Sequence, residues 1–253
     1  MWRHIAAGVV GPSHARTGAP CQDSHDVRLL GGPDAPALIA CVADGAGSAS
    51  HSDEGSALAC SVVVSLAEAH YTEYGSFSRV AREEAVEWCE AARTRISEVA
   101  AKEQLSTREY ATTLCVALLS PKGSAFFQIG DGAIVARRCK PLGVLFWPQS
   151  GEYANSTMFL TGQDFDRHVE FSSVEGDFVD VALMTDGVER LALSFEGKTP
   201  HAPFFDPLLG ALHGAENHES LSEELCKFLD SESMKVRSDD DKTVVLASQH
   251  RSR

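Results

Sequence analysis

Residues 38–45 read Leu-Ile-Ala-Cys-Val-Ala-Asp-Gly, a short apolar run that ends directly in an Asp-Gly pair. A run of this length, bounded by turn residues, predicts a strand that is buried on both faces. The arrangement recurs where hydrophobic segments end in Asp131-Gly132 and Asp186-Gly187. Near the C-terminus the order is inverted, because Asp239-Asp240-Asp241 precedes the apolar residues 243–247. The chain therefore places carboxylates at the ends of several predicted strands.

Short segments rich in β-branched and aromatic residues, bounded by Gly, Pro or Asp, dominate the outer thirds of the chain. We predict eight strands from them: Ile5–Val10, Val27–Leu30, Leu38–Ala43, Thr112–Ser120, Ala125–Ile129, Ile134–Arg138, Val179–Thr185 and Thr243–Ala247. Apolar residues at spacings of three and four predict helices over Ser52–His70 and Ser78–Lys102. A third helix is predicted to begin at the capping box Ser220-x-x-Glu223.

The order of these elements predicts an α+β fold, since it lacks the regular alternation of a parallel sheet. Many strands and few helices favour two packed sheets with the helices outside. No repeat or long linker divides the chain, so residues 1–253 are predicted to form a single domain. Residues 197–217 are dense in Gly, Pro and His, which predicts a mobile lid or surface loop.

Composition restricts the partners of the protein. Of 253 residues, 22 are Lys or Arg and 36 are Asp or Glu, so the net charge is −14. Such a chain repels phosphate backbones and anionic lipid, which disfavours nucleic acid and membrane surfaces. The seven cysteines form no C-x-x-C pair and indicate a reducing compartment. The N-terminus has no long apolar segment, and we predict a cytoplasmic protein.

Two interpretations of the Asp-Gly pairs are open. Asp-Gly is a strong hairpin-turn signal, because Gly accepts a positive φ and Asp bonds its own backbone. Alternatively, carboxylates at strand ends converge at the rim of a two-sheet sandwich, where they repel one another unless a cation holds them. Hard Asp oxygens suit Mg²⁺ or Mn²⁺, whereas zinc is not predicted because no His/Cys cluster has zinc spacing. Two such ions would activate a water and orient a phosphoryl group for in-line attack.

The motifs, taken in order, resemble those of the metal-dependent serine/threonine protein phosphatases of type 2C, the PPM family. Five segments carry the resemblance: Val42-Ala43-Asp44-Gly45-Ala46-Gly47-Ser48 to V-x-D-G-x-G-G, Ala111-Thr112-Thr113-Leu114 to G-[TS]-T, Gly130-Asp131-Gly132 to G-D-S-R, Thr185-Asp186-Gly187 to S/T-D-G, and Asp240-Asp241-x-Thr243 to D-N-x-T. Gly11-Pro12-Ser13-His14 with Cys21-Gln22-Asp23 resembles the G-x-S-H…C-Q-D opening of a bacterial subgroup. The resemblance spans residues 11–247.

This resemblance implies a four-layer α-β-β-α sandwich, with two central, mostly antiparallel sheets flanked by antiparallel helix pairs. It implies that a hydroxide between two Mn²⁺ or Mg²⁺ ions attacks the phosphorus of phosphoserine or phosphothreonine in line. Asp44 is expected to bridge the two ions, with the Gly45 carbonyl on the second. Asp186 and Asp240 are expected to complete the first ion's protein ligands.

The resemblance also implies a third ion, held by Asp131 with Asp186, and metal-bound water held by Asp23. Three departures from the family pattern stand out. Gln22 replaces the usual Glu and is expected to bind the second ion more weakly. Ala46 replaces the His that is a general acid in many eukaryotic members. Gly18 occupies the place of the phosphate-binding Arg, so His14 or Arg16 is expected to supply that positive charge.

The first hypothesis is therefore a bacterial phosphoprotein phosphatase that opposes a serine/threonine kinase in signalling. The second is a catalytically weak or inactive member that binds phosphoproteins or a kinase as a regulatory module. Its motivation is Gln22 together with the unassigned arginine. The third is hydrolysis of a small phosphorylated metabolite.

Overall fold

The computed structural model describes residues 1–139, 141–149, 157–215 and 217–249. Twelve strands lie within these residues. They are β1 (Trp2–Val9), β2 (Ser24–Leu30), β3 (Ala37–Ala43), β4 (Leu114–Leu119), β5 (Ser124–Ile129), β6 (Ala133–Arg137), β7 (Gly143–Phe146), β8 (Glu170–Val174), β9 (Asp180–Met184), β10 (Leu193–Ser194), β11 (Thr199–Pro200) and β12 (Lys242–Gln249).

Eight α-helices lie within the same described ranges, four of them longer than ten residues. The long helices are α2 (Ser52–Tyr74), α3 (Arg82–Lys102), α6 (Ala202–Gly214) and α7 (His218–Leu229). The short helices are α1 (Pro12–Thr17), α4 (Phe165–His168), α5 (Glu189–Ala192) and α8 (Glu232–Lys235). No helix in the described part of the chain is both long and apolar enough to cross a membrane.

Two five-stranded antiparallel sheets form the centre of the protein. One has the spatial order β1-β12-β9-β6-β7 and the other β2-β3-β4-β5-β8. Every neighbouring pair within these two sheets is antiparallel. The strands β10 and β11 form a separate small ribbon.

Side chains that alternate along the strands build three apolar layers. Leu38, Phe126 and Leu183 belong to the layer between the two sheets. Val116 and Phe127 face the other way and pack with α2 and α3. On the opposite side, Val244 and Leu246 of β12 pack with the apolar faces of α6 and α7. The prediction of a four-layer α-β-β-α sandwich is confirmed.

The eight predicted strands are all present, with ends that differ by a few residues. The sequence analysis missed β7 and β8, which are only partly buried and carry a weak alternating pattern. The third predicted helix begins two residues early, at His218 rather than Ser220. Its cap is Asn217, whose side-chain oxygen accepts hydrogen bonds from the N–H groups of Glu219 and Ser220 at 3.0 and 3.3 Å.

The prediction of a lid or surface loop over 197–217 is wrong for residues 202–214, which form α6; residue 216 lies outside the described residues. Phe204, Phe205, Leu209 and Leu212 of this helix are buried against the β12 sheet. Pro207 lies inside the helix and removes one backbone hydrogen bond. Burial of four large apolar side chains offsets that loss. Composition alone predicted a loop because it takes no account of this tertiary packing.

Candidate metal centre

Three aspartates converge at one rim of the sandwich. One carboxylate oxygen from each of Asp44, Asp131 and Asp186 lies within 4.8 Å of the others. Asp44 follows β3 and Asp131 follows β5 in one sheet, while Asp186 follows β9 in the other. The site therefore depends on how the two sheets are packed, with the carboxylates at the strand ends as predicted.

Two threonines of the Ala111-Thr112-Thr113 segment hold the backbone around Asp44. The Thr113 N–H and the Thr112 hydroxyl donate to the Asp44 carbonyl at 2.8 and 3.0 Å. The Thr113 hydroxyl in turn accepts from the Asp44 N–H at 3.0 Å. These bonds fix the direction in which the chain leaves β3 and therefore the direction of the Asp44 carboxylate.

The glycines after the three aspartates serve close packing and not hairpin turns. Gly45, Gly132 and Gly187 are absent from the glycines with positive φ in the described ranges. A Cβ on Gly187 would lie 1.7 Å from the Asp241 carbonyl oxygen, and one on Gly45 would lie 2.6 Å from the Gln22 carbonyl oxygen. The hairpin interpretation is therefore wrong, since none of the three Asp-Gly pairs joins two strands that are neighbours in a sheet.

Burial and like charge raise the carboxyl pKa values at this centre. The pKa of Asp44 is well above its usual value because the group is buried, and the charges of Asp23 and Asp186 add to the shift. Burial and the charge of Asp131 raise the pKa of Asp186 to about 6. The pKa of Asp131 is also raised by burial, although a hydrogen bond from Thr157 opposes the shift. A cation would relieve this repulsion.

Asp23 lies behind the three aspartates, in contact with the segment that precedes Asp186. The Thr185 hydroxyl donates to Asp23 Oδ2 at 2.8 Å. Asp23 Oδ1 is buried and has no hydrogen-bond partner among the described residues. Burial raises the pKa of Asp23 to about 8, although the hydrogen bond from Thr185 opposes the shift. An orphaned carboxylate oxygen here suits the predicted contact with metal-bound water.

Asp240 and Asp241 occupy different environments. Asp240 lines a cleft of about 290 Å³ together with Asp186 and Glu189, and its charge contributes to the raised pKa values of Asp131 and Asp186. Asp241 is 3% exposed and accepts hydrogen bonds from the N–H groups of Gly11 and Gln22, both at 2.6 Å. Asp240 is thus placed to join the carboxylates, whereas Asp241 anchors the N-terminal segment.

His14 and Gln22 lie beside the loop that follows Asp44. The Nδ1 atom of His14 is 2.9 Å from Asp241 Oδ2. A methyl group added to Gly47 would lie 3.8 Å from His14 Nε2 and 3.9 Å from Gln22 Oε1. Gln22 Oε1 is buried without a hydrogen-bond partner in the described residues. The structure therefore brings both residues to the edge of the carboxylate cluster.

Arg16 lies elsewhere. Its exposed side chain lines a groove with Val9, Lys227 and Lys235, and none of the clustered aspartates lines that groove. His14 and Arg16 are two residues apart in α1, so their side chains point to nearly opposite sides of the helix. Of the two residues predicted to supply positive charge, His14 is the one beside the carboxylates.

Sequence reasoning missed four residues at this site. Thr157 donates to Asp131 Oδ2 at 2.6 Å. Glu189 lines the cleft, where burial and the charge of Asp186 raise its pKa to about 7. Lys242 is buried and donates to the Asp240 carbonyl at 2.6 Å. Asp241 had one signal, the Asp in place of Asn in the D-N-x-T pattern, and the others had none.

The donor set fits a hard divalent cation. Asp44, Asp131 and Asp186 offer only carboxylate oxygens, the ligands that Mg²⁺ and Mn²⁺ prefer. No group of three candidate ligands in the described residues contains His or Cys. A β-sandwich with such a centre at one rim is the arrangement expected of a metal-dependent phosphatase.

Comparisons with known proteins identify the family. A family model described as Protein phosphatase 2C matches residues 10–230. Serine/threonine-protein phosphatase 3 of Escherichia coli (strain K12) is 36% identical over 251 residues, covering 97% of this chain and 98% of that protein. The chain belongs to the protein phosphatase 2C family.

Solved structures share the fold. A bacterial serine phosphatase covers 100% of both chains with a TM-score of 0.60 and 12% identity. Stp1 from Staphylococcus aureus matches 99% of this chain and 96% of its own with a TM-score of 0.59 and 12% identity. The catalytic domain of PstP, solved with two manganese ions, matches 98% and 97% with a TM-score of 0.58 and 18% identity. At these identities the similarity supports the fold alone.

Proposed function

We propose that this protein is a metal-dependent phosphatase that hydrolyses phosphoserine and phosphothreonine in proteins. The observation that carries the proposal is the convergence of Asp44, Asp131 and Asp186 at the sandwich rim of a chain in the protein phosphatase 2C family. Divalent ions, when bound, would neutralise the phosphoryl oxygens and lower the pKa of the attacking water. The chain's own residues would hold the ions, orient the phosphoryl group and transfer the protons of the reaction.

Each candidate ligand has a proposed role. Asp44 would bridge two Mn²⁺ or Mg²⁺ ions, with the carbonyl of Gly45 on the second. Asp186 and Asp240 would complete the first site, and their shared cleft supports that pairing. Asp131 would hold a third ion together with Asp186. Asp23 would hold metal-bound water. Gln22 would contribute its buried amide oxygen near the second ion, a neutral and hence weaker donor.

The proposed substrates are phosphorylated proteins, and the proposed context is the bacterial cytoplasm, where the enzyme would oppose a serine/threonine kinase. All seven cysteines are free, which agrees with a reducing compartment. The net charge of −14 favours substrates with basic residues around the phosphosite. The regulatory-module hypothesis has no observation in its favour, since the predicted carboxylates are present and three of them converge.

The test is hydrolysis of a phosphoserine peptide and of para-nitrophenyl phosphate with Mn²⁺, Mg²⁺ or chelator. We expect Asp186→Asn to lower metal-dependent turnover by at least about 10²-fold, because one ligand charge is lost at the centre. Asp206→Asn, an exposed carboxylate on α6, is the matched control and should retain wild-type turnover. Full turnover in a folded Asp186→Asn protein would contradict the assignment.

Substrate class is tested separately from chemistry. Phosphopeptides should be hydrolysed faster than free phosphoserine and nucleotides, because the proposed substrate is a protein segment. Faster turnover of the small molecules would replace the proposal with the metabolite hypothesis. Tight binding of metal and phosphopeptide without turnover would favour the regulatory module.

A further inference from the structure

A pocket of about 330 Å³ opens among the four helices that cover the outer face of the β12 sheet. Five apolar side chains line it, and each helix contributes at least one: Leu191 of α5, Pro203 and Phe204 of α6, Phe228 of α7 and Met234 of α8. Leu191, Phe204 and Met234 are buried, whereas Pro203 and Phe228 are exposed. The pocket therefore has a buried apolar base and an exposed apolar edge.

Contacts between the helices hold the walls of this pocket in place. The His201 N–H at the start of α6 donates to the Ala192 carbonyl at the end of α5, at 2.7 Å. The rings of Phe204 and Phe228 lie 6.1 Å apart, centroid to centroid, and join α6 to α7. A pocket that is formed in advance spares a ligand the cost of ordering its walls.

The pocket adjoins the cleft that contains the proposed ligands Asp186 and Asp240. Leu191 and Arg237 line both the pocket and the cleft. Leu191 follows Asp186 by five residues, and Arg237 precedes Asp240 by three. The Arg237 N–H donates to the Met234 carbonyl at 3.0 Å, so one turn of chain continues from the pocket to the cleft. A peptide whose phosphoserine enters the cleft would pass Leu191 and Arg237 and reach the pocket.

We infer that this pocket binds a large apolar side chain of the substrate, such as Phe or Leu, close to the phosphorylated residue. The inference rests on the proposed function and specifies which phosphoproteins the enzyme prefers. An apolar cavity of about 150 Å³ holds a benzene molecule, so the volume of this pocket suits one such side chain. The pocket and the cleft share two walls, and an extended chain advances about 3.3 Å per residue. The apolar residue therefore lies within about four residues of the phosphoserine.

The experiment measures kcat/KM of the full-length protein with Mn²⁺ on a set of phosphoserine peptides. Each peptide carries Phe at a single position within about four residues of the phosphoserine, and the reference peptide has Ala at all of these positions. We expect one position at which Phe raises kcat/KM by about tenfold or more, because an aromatic ring leaves water. The gain should come mainly from a lower KM, since the pocket does not touch the reacting group.

Two variants test whether the preference arises in this pocket. Phe228→Ala removes one exposed wall, and Ser233→Phe places a ring at the opening, since Ser233 is exposed and lines the pocket. In both, the ratio of kcat/KM for the Phe peptide to that for the Ala peptide should fall below about threefold; a general loss of activity cancels in this ratio. The control is Tyr74→Ala on α2, in the other helix layer, where the aromatic residue is 44% exposed against 38% for Phe228. It should keep the wild-type ratio.

The outcomes separate this inference from the proposed function. Peptides that are all hydrolysed equally fast by the wild-type protein, or a preference for Phe that survives in both variants, would overturn the inference alone. A wild-type dimer that Phe228→Ala makes monomeric, with no preference among the peptides, would assign the pocket to a second copy of the chain. Absence of metal-dependent turnover on every peptide and on para-nitrophenyl phosphate would overturn the proposed function, and with it this inference.

Discussion

At the scale of the residue, the proposed metal centre combines buried carboxylates with one neutral amide. Asp23 and Asp44 carry raised pKa values because they are buried beside groups of the same sign. Gln22 is also buried, and its Oε1 has no hydrogen-bond partner among the described residues. An unpaired buried oxygen costs about 1–3 kcal/mol, so Gln22 is one position at which a bound ion would recover stability.

Gln22→Glu is expected to tighten metal binding and to weaken the metal-free fold. An anionic donor attracts Mn²⁺ more strongly, and we expect a dissociation constant about tenfold lower by calorimetric titration. In chelator the extra buried charge should lower the free energy of unfolding by about 1–3 kcal/mol. Gln163→Glu introduces the same charge at an exposed position and should alter neither quantity. Unchanged metal affinity in Gln22→Glu would place that side chain outside the metal centre.

At the scale of the element, some strands and helices follow from local sequence, whereas others depend on tertiary packing. The sequence was sufficient to predict the eight main strands, because a short apolar run bounded by turn residues is a local pattern. It was insufficient for α6, where Pro207 opposes a helix that tertiary packing restores. The motifs located the three aspartates that converge at the rim of the sandwich. The sequence could not show that His14 meets Asp241, since residues near the two ends of a chain come together only in the folded protein, here through the pairing of β1 with β12.

Gly187→Ala tests the close packing at the end of β9. Its Cβ would lie 1.7 Å from the Asp241 carbonyl oxygen, so residues 241 and 187 must move apart. We expect the free energy of unfolding in urea to fall by more than about 2 kcal/mol. The control is Gly210→Ala in α6, where a Cβ meets nothing within 4 Å and should stabilise by about 0.5–1 kcal/mol. A Gly187→Ala protein as stable as wild type would show that this backbone can relax.

At the scale of the whole molecule, the aspartates at the two ends of β9 have opposite electrostatic surroundings. Asp180, the first residue of the strand, is fully buried and paired: Arg137 Nε donates to its Oδ2 at 2.5 Å, and His213 Nε2 lies 3.0 Å from its Oδ1. Asp186, beyond the other end, lies among further carboxylates. In a chain of net charge −14, Arg137 neutralises the carboxylate at one end of the strand, and the metal ions that we propose would neutralise the carboxylates at the other.

That asymmetry predicts an unusual dependence of stability on pH in the metal-free protein. The folded state raises the pKa of Asp23 to about 8 and that of Asp186 to about 6, against about 3.9 in an unfolded chain. Folding therefore retains protons on these groups, and stability decreases as pH rises from about 4 through about 8. In chelator, we expect the free energy of unfolding to decrease by about 1–3 kcal/mol between pH 6 and pH 8.

Saturating Mg²⁺ should remove most of this decrease, because the ions replace the protons as the partners of the carboxylates. The stabilisation by Mg²⁺, measured from chemical denaturation, should consequently be larger at pH 8 than at pH 6. Asp23→Asn removes the carboxyl group whose pKa is about 8 while keeping an acceptor for the Thr185 hydroxyl, so the decrease in the stability of this variant in chelator should be shallower. A metal-free stability that rises with pH over this interval, in wild type and variant alike, would mean that the carboxylates are not held close together without metal.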